Sequence, residues 1–158
     1  MGFGGRRVVA RKGAFLLRLP EGERELLLQL LGELRTLLKL GPENPRLRRL
    51  YPAAYSDDEE KEAEYRMLTH EELSSGRLAA LDTVEQTIAA DRLTPDELTA
   101  WMHAVNALRL VLGTMLDVQE DTQPFALDKD DPDAPTMALY GYLGVLLEEI
   151  VEAQLDTM

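Results

Sequence analysis

Apolar residues recur at three- and four-residue spacings along most of this chain, the period of a helix with one buried side. Between Pro20 and Leu40 the stripe is Leu26, Leu27, Leu30, Leu31, Leu34, Leu37 and Leu38, with Pro20 suited to a first helical turn and Gly41-Pro42 as the stop. A short helical turn is expected around Pro45–Leu50, ended by Tyr51-Pro52. Ser56-Asp57-Asp58-Glu59 is a capping-box pattern, a hydroxyl followed three residues later by a carboxylate. It predicts a helix over 57–90, and Thr69-His70-Glu71-Glu72 repeats the signal where that helix kinks or restarts. Thr94-Pro95-Asp96-Glu97 is a third box and opens the clearest helix, 94–118. There Trp101, Val105, Leu108, Leu112 and Met115 form one stripe, widened by Leu98, Leu110, Val111 and Leu116. An apolar surface that wide belongs at the centre of a bundle.

Two segments break the helical period. Residues 6–19 place two β-prone runs, Val8–Ala10 and Ala14–Leu17, around Lys12-Gly13, which predicts a tight hairpin. A two-stranded ribbon needs a neighbour to be stable, so it should lie on the helices. Residues 119–135 are rich in Asp and Pro and read as an acidic loop. A last helix over 136–156 follows, with Leu139, Leu143, Leu146, Leu147, Ile150 and Val151 facing inward. The expected fold is mainly α: a single-domain helical bundle with a short N-terminal β-hairpin.

Composition narrows the chemistry. The 158 residues contain no cysteine, which removes disulfides, thiolate nucleophiles and Cys-ligated metals. Gly5-Arg6-Arg7 resembles the start of a twin-arginine signal, but Arg11, Lys12 and Arg18 interrupt the apolar region such a signal requires. With no apolar run of membrane-spanning length, a cytoplasmic location is the expectation.

Net charge is −12 but unevenly spread: residues 1–50 hold 11 Lys/Arg against 5 Asp/Glu, and the remainder hold 6 against 24. Segregation of this kind either marks a basic contact face or is an uneven solvated surface. The candidate contacts for a protein partner or nucleic acid are Arg6, Arg7, Arg11, Lys12 and Arg18, with Arg46, Arg48 and Arg49 as a second cluster. A recognition helix beginning at Asp96-Glu97 would present acids to the groove, so any DNA contact is expected from the ribbon or the Arg46–Arg49 turn.

No motif of catalysis stands out. There is no Gly-x-Ser-x-Gly elbow, no glycine-rich phosphate loop, and no Glu-x-x-His pair for a di-metal bundle. Asp128–Asp133 departs from a calcium loop at Pro132, Asp133 and Leu139. No cofactor or metal is expected, and an enzyme or small-ligand bundle using His70 or His103 is the rival reading. Asn106 and Arg109 share a helix face and are expected to form a structural polar core, with Glu64 as the acidic partner of Arg109.

The run Val105-Asn106-Ala107-Leu108-Arg109-Leu110-Val111-Leu112-Gly113-Thr114, the triplet Glu64-Tyr65-Arg66, Trp101, and the basic ribbon leading into a Leu-rich helix carry a family resemblance. They resemble an actinobacterial family long catalogued as a domain of unknown function, one that includes the oxidative-stress transcriptional regulator AosR. The resemblance covers nearly the whole chain. It implies a regulator acting with an RNA polymerase sigma factor on cysteine-biosynthesis genes. The family's redox sensing is associated with a Cys-x-x-x-Cys motif, which this chain lacks. The expectation is therefore a non-enzymatic regulatory protein or adaptor, without thiol sensing. Its partners would be proteins and, as a further candidate, DNA, and its Leu-rich faces leave room for a homodimer.

Overall fold

The computed structural model describes residues 5–40, 44–50, 75–118 and 128–157. Among these the protein is mainly α, with a small antiparallel sheet at its N-terminal end. Strands β1 (Val8–Arg11) and β2 (Ala14–Leu17) form the hairpin. Lys12 and Gly13 both take positive φ, 47° and 81°, the conformation a two-residue turn of the primed type requires. Helix α1 spans Glu21–Leu40, and a 3-10 turn, η1, spans Pro45–Leu50. Helix α2 is described over 75–87; the first two capping boxes, at Ser56 and Thr69, lie outside the described residues. Helices α3 (Pro95–Met115) and α4 (Ala134–Leu155) follow.

One element departs from the expectation. Arg92–Leu93 forms a third strand, β3, giving the order β1-β2-β3. Phe15 pairs with Leu93 and Leu16 with Arg92, while the Leu17 amide donates to the Asp91 carbonyl at 2.9 Å. The ribbon thus acquires its neighbour from the chain itself. Two residues give too little alternation to show as a strand, which is why pattern alone misses them.

The sheet turns Val8, Phe15, Leu17 and Leu93 into the core, each no more than 3% exposed. There they join α1 through Leu27, Leu31 and Leu34, α2 through Leu81 and Val84, and α3 through Leu98, Trp101 and Val105. Thr94 caps α3 as the third box predicts: its hydroxyl accepts from the Glu97 amide, and the Glu97 carboxylate accepts from the Thr94 amide. Helices α3 and α4 run antiparallel, with Thr99 opposite Gln154 at one end and Gly113 against Tyr140 at the other.

The apolar stripes are narrower than the sequence suggests. Leu26 of α1, Met115 of α3 and Val151 of α4 face outward, 36%, 48% and 37% exposed, because each lies at the flank of its stripe. Leu30, Leu34, Leu37, Leu40, Leu108 and Met115 border an open groove of about 500 Å³ between α1 and α3.

Polar contacts fix the elements to one another. Arg24 of α1 donates through Nε to the Leu19 carbonyl at 2.9 Å and through Nη1 to the Ile88 carbonyl at 2.6 Å. One guanidinium therefore satisfies a carbonyl that follows β2 and one that follows α2, groups the helix itself leaves without partners. Arg35 bridges α1 to α2 through Asp82 at 2.8 Å and Glu85 at 3.1 Å, and the bond to Asp82 leads the effects that raise its pKa.

Candidate partner-binding surface

The N-terminal cations divide into two groups with different duties. Arg6 and Arg7 are committed within the fold. Arg6 forms an ion pair with Glu152 of α4. Arg7 is buried, at 6% exposure, and its Nε donates to Glu23 of α1 at 2.6 Å. Its backbone amide donates to Glu149 of α4 at 2.5 Å, and its guanidinium lies 5.2 Å from the centre of the Tyr142 ring. The Tyr142 hydroxyl completes the cluster by donating to Glu23 at 2.6 Å.

This cluster sets its own protonation. The bond to Glu23 raises the Arg7 pKa despite burial. Burial pushes the Glu23 carboxyl up, but the bonds from Arg7 and Tyr142 and the Arg7 charge outweigh it and hold the carboxyl below its usual range. Burial, then the bond to Glu23, drives the Tyr142 hydroxyl well above the ordinary tyrosine value. Arg7 is a strut between β1, α1 and α4, and as a surface contact it is a corrected expectation: two carboxylates and an aromatic ring enclose it.

Arg11, Lys12 and Arg18 are exposed and make no ion pair among the described residues. Alternation places Val9, Arg11, Ala14, Leu16 and Arg18 on the sheet face opposite the core. Arg92, also exposed, joins them directly opposite Leu16. Sequence reasoning omitted Arg92, since only the pairing of β3 with β2 brings it beside the hairpin.

The second basic cluster lies elsewhere. The turn η1 packs on the C-terminal part of α3, where Arg49 donates to the Val118 carbonyl at 2.9 Å and approaches Gly113. Arg46 is exposed beside Thr114 and Met115, and the Arg48 side chain lies outside the described residues. From Thr94, next to the sheet, to Gly113 the rise along α3 is roughly 28 Å. Among the described residues the two clusters lie towards opposite ends of the central helix and do not form one continuous basic face.

The expected polar core is also different. Asn106 is exposed, because it sits on the side of α3 away from Ala104, Val105, Ala107 and Leu108. Arg109 is half-buried, with its guanidinium 4.8 Å from the centre of the Tyr140 ring of α4. Its Nε is buried and has no hydrogen bond among the described residues. The partner expected for it, Glu64, lies outside those residues, as does His70; His103 is exposed on α3.

Among the described residues there is no cluster of three or more His, Asp or Glu side chains placed to hold a metal ion. In the acidic segment, the Asp128 and Asp131 carboxylates accept from the backbone amides of Asp130 and Asp133, turning the chain into α4. No helix among the described residues is long and apolar enough to cross a membrane.

A family model described as a domain of unknown function (DUF2017) matches residues 5–154, from the hairpin to the last turns of α4. The chain belongs to that family. Among curated proteins it is similar to the putative oxidative stress regulator AosR of Mycobacterium leprae, 32% identical over 133 residues, with 73% of this chain and 61% of that protein covered. It is likewise similar to the oxidative stress regulators AosR of Mycobacterium tuberculosis (strain H37Rv) and Mycobacterium bovis, each 35% identical over 127 residues, with 70% of this chain and 58% of theirs covered. The chain spans about three fifths of the length of these relatives. No solved structure matches it. Membership of this family and the mainly α fold are as the sequence predicts.

Proposed function

We propose that this protein is a non-enzymatic cytoplasmic regulator of the oxidative-stress response that works by docking other macromolecules. The observation that carries this reading is the similarity to relatives named oxidative stress regulators. The described surface supports it: exposed cations stand on the sheet at one end of α3 and on the η1 turn at the other, while His103 is exposed on a helix face. A protein partner, with RNA polymerase and its sigma factors as the first candidates, is favoured over direct DNA binding, because the described residues of the two basic clusters do not combine into one phosphate-tracking face.

These 158 residues hold no cysteine and so contribute no thiol to oxidant sensing. The test is co-purification of the tagged protein with RNA polymerase and sigma factors before and after peroxide exposure, with transcript levels compared between a deletion strain and its complement. Association together with altered stress transcripts is the expected result. No association and an unchanged transcript profile overturn the proposal.

A further inference from the structure

We propose that the outer face of the three-stranded sheet docks a short protein segment combining carboxylates with aliphatic side chains. This rests on the partner-binding reading above and gives the partner's chemistry. The face is built by the register itself. Val9 stands opposite Leu16 and Leu16 opposite Arg92, so one row across the sheet reads aliphatic, aliphatic, cationic. Arg11 lies opposite Ala14 at the turn end, Lys12 is held in the left-handed region at the turn, and Arg18 closes the other end. Val9 and Leu16 are half-buried on the side away from the core, and all four cations are exposed.

Commitment of Arg6 to Glu152 and of Arg7 to Glu23 and Glu149 sharpens the patch. Acids of α1 and α4 pair with these two cations, and the charged side chains left on the outer face of the sheet are all cationic. On a chain of net charge −12, this island is the complement of an acidic partner.

Its size decides between occupants. Four-residue strands give a face about 14 Å long, enough for two or three turns of a partner helix or one short strand. A DNA site of one helical turn extends about 34 Å and would overrun the sheet. Close to the sheet in sequence, Glu21 and Asp96 in the first turns of α1 and α3 are exposed acids, which disfavour a continuing phosphate backbone. Four phosphate contacts alone would also give weak binding, with a salt slope of about −3.6. The central Val9 and Leu16 have no use against phosphates, but they exclude water from ion pairs with a peptide.

The experiment titrates the full chain into a labelled helical peptide of Glu and Leu, the same peptide with Gln in place of Glu, and a DNA duplex, at low and high salt. Preferential binding of the Glu peptide is expected. The double variant Arg11→Glu, Arg92→Glu should weaken it by about tenfold or more, and Leu16→Thr several-fold. Arg46→Glu, at the far end of α3, should leave it within about twofold. Unfolding midpoints verify that these surface variants fold.

Four results overturn the proposal: no binding of the Glu peptide, equal binding of the Gln peptide, tighter binding of the duplex, or self-association that Arg11→Glu abolishes. Failure here is separable from failure of the regulatory reading. If that reading holds without this surface, the double variant still co-purifies with RNA polymerase.

Discussion

The indole N–H of Trp101 donates to the hydroxyl of Thr87 at 2.8 Å, and both residues are buried. The same hydroxyl donates to the Thr83 carbonyl one turn earlier in α2, also at 2.8 Å. Thr87 therefore spends its donor on its own helix and offers its lone pair to the indole of α3. A fully buried tryptophan has one polar atom to satisfy, and this arrangement satisfies it without water.

Thr87→Val keeps the shape of the side chain and removes the acceptor. The orphaned indole N–H should cost about 1–3 kcal/mol, read as a lower urea midpoint with an unchanged slope. Thr87→Ser should recover most of the loss. Equal stability of the valine variant and the parent would show that the bond contributes nothing net.

The Arg7 cluster predicts a pH dependence. Glu23 has its pKa lowered in the folded protein. Its contribution is fully present above the unfolded carboxyl value of about 4.3 and is lost as pH falls through the folded value. Stability should therefore be nearly flat from neutral pH to about pH 5 in respect of this group and decline below it. Glu23→Gln should lower stability at neutral pH and flatten the acid decline. Arg7→Met, which leaves Glu23 and Glu149 facing each other without a cation, should cost about 3 kcal/mol. Urea titrations across pH measure both.

Legibility of the fold followed the length of each signal. The helix starting at Thr94 was readable because hydroxyl, proline and carboxylate agree within four positions, and the structure forms both capping bonds. The Lys12-Gly13 turn was readable through Gly13, which tolerates positive φ, although Lys12 adopts it too without the Asn or Asp that usually announces such a turn. The strand Arg92–Leu93 was not, since its partner lies far away in sequence and nothing in two residues announces it. The fate of Arg7 was hidden for a related reason: Glu23 and Glu149 surround it only once β1 is laid across α1 and α4. Charge counting treats five N-terminal cations alike, whereas folding buries Arg7, pairs Arg6 with Glu152 at the surface and adds Arg92.

Two glycines predict opposite outcomes for one substitution. A Cβ on Gly113 would stand 2.9 Å from Arg49 Nη1 and 3.2 Å from the buried ring of Tyr140. The guanidinium tip can move, but the ring is held between α3 and α4. Gly113→Ala should therefore lose about 1–3 kcal/mol to overpacking, which exceeds its gain in helix propensity. On α4 a Cβ at Gly144 would meet, among the described residues, Arg109 Nε alone, at 3.4 Å. There propensity prevails, and Gly144→Ala should stabilise by about 0.5–1 kcal/mol. Thermal unfolding of the two variants side by side tests the sign of each.

The cap at Thr94 predicts an effect on the sheet as well as on the helix. Thr94 follows Leu93 directly, so the residue that opens α3 is also the one that leaves β3. Thr94→Ala removes the acceptor for the Glu97 amide and should cost about 1 kcal/mol. Glu97→Ala removes the reciprocal acceptor, and because each bond positions the other, the double variant should lose less than the sum of the single losses. Fraying of this corner would also loosen the pairing of Leu93 with Phe15. Hydrogen exchange should therefore accelerate at Leu98, whose amide donates to the Thr94 carbonyl, and at Leu17, whose amide donates to Asp91, while the amides near Ile150 keep their protection. Acceleration confined to α3 would show that cap and sheet are energetically separate.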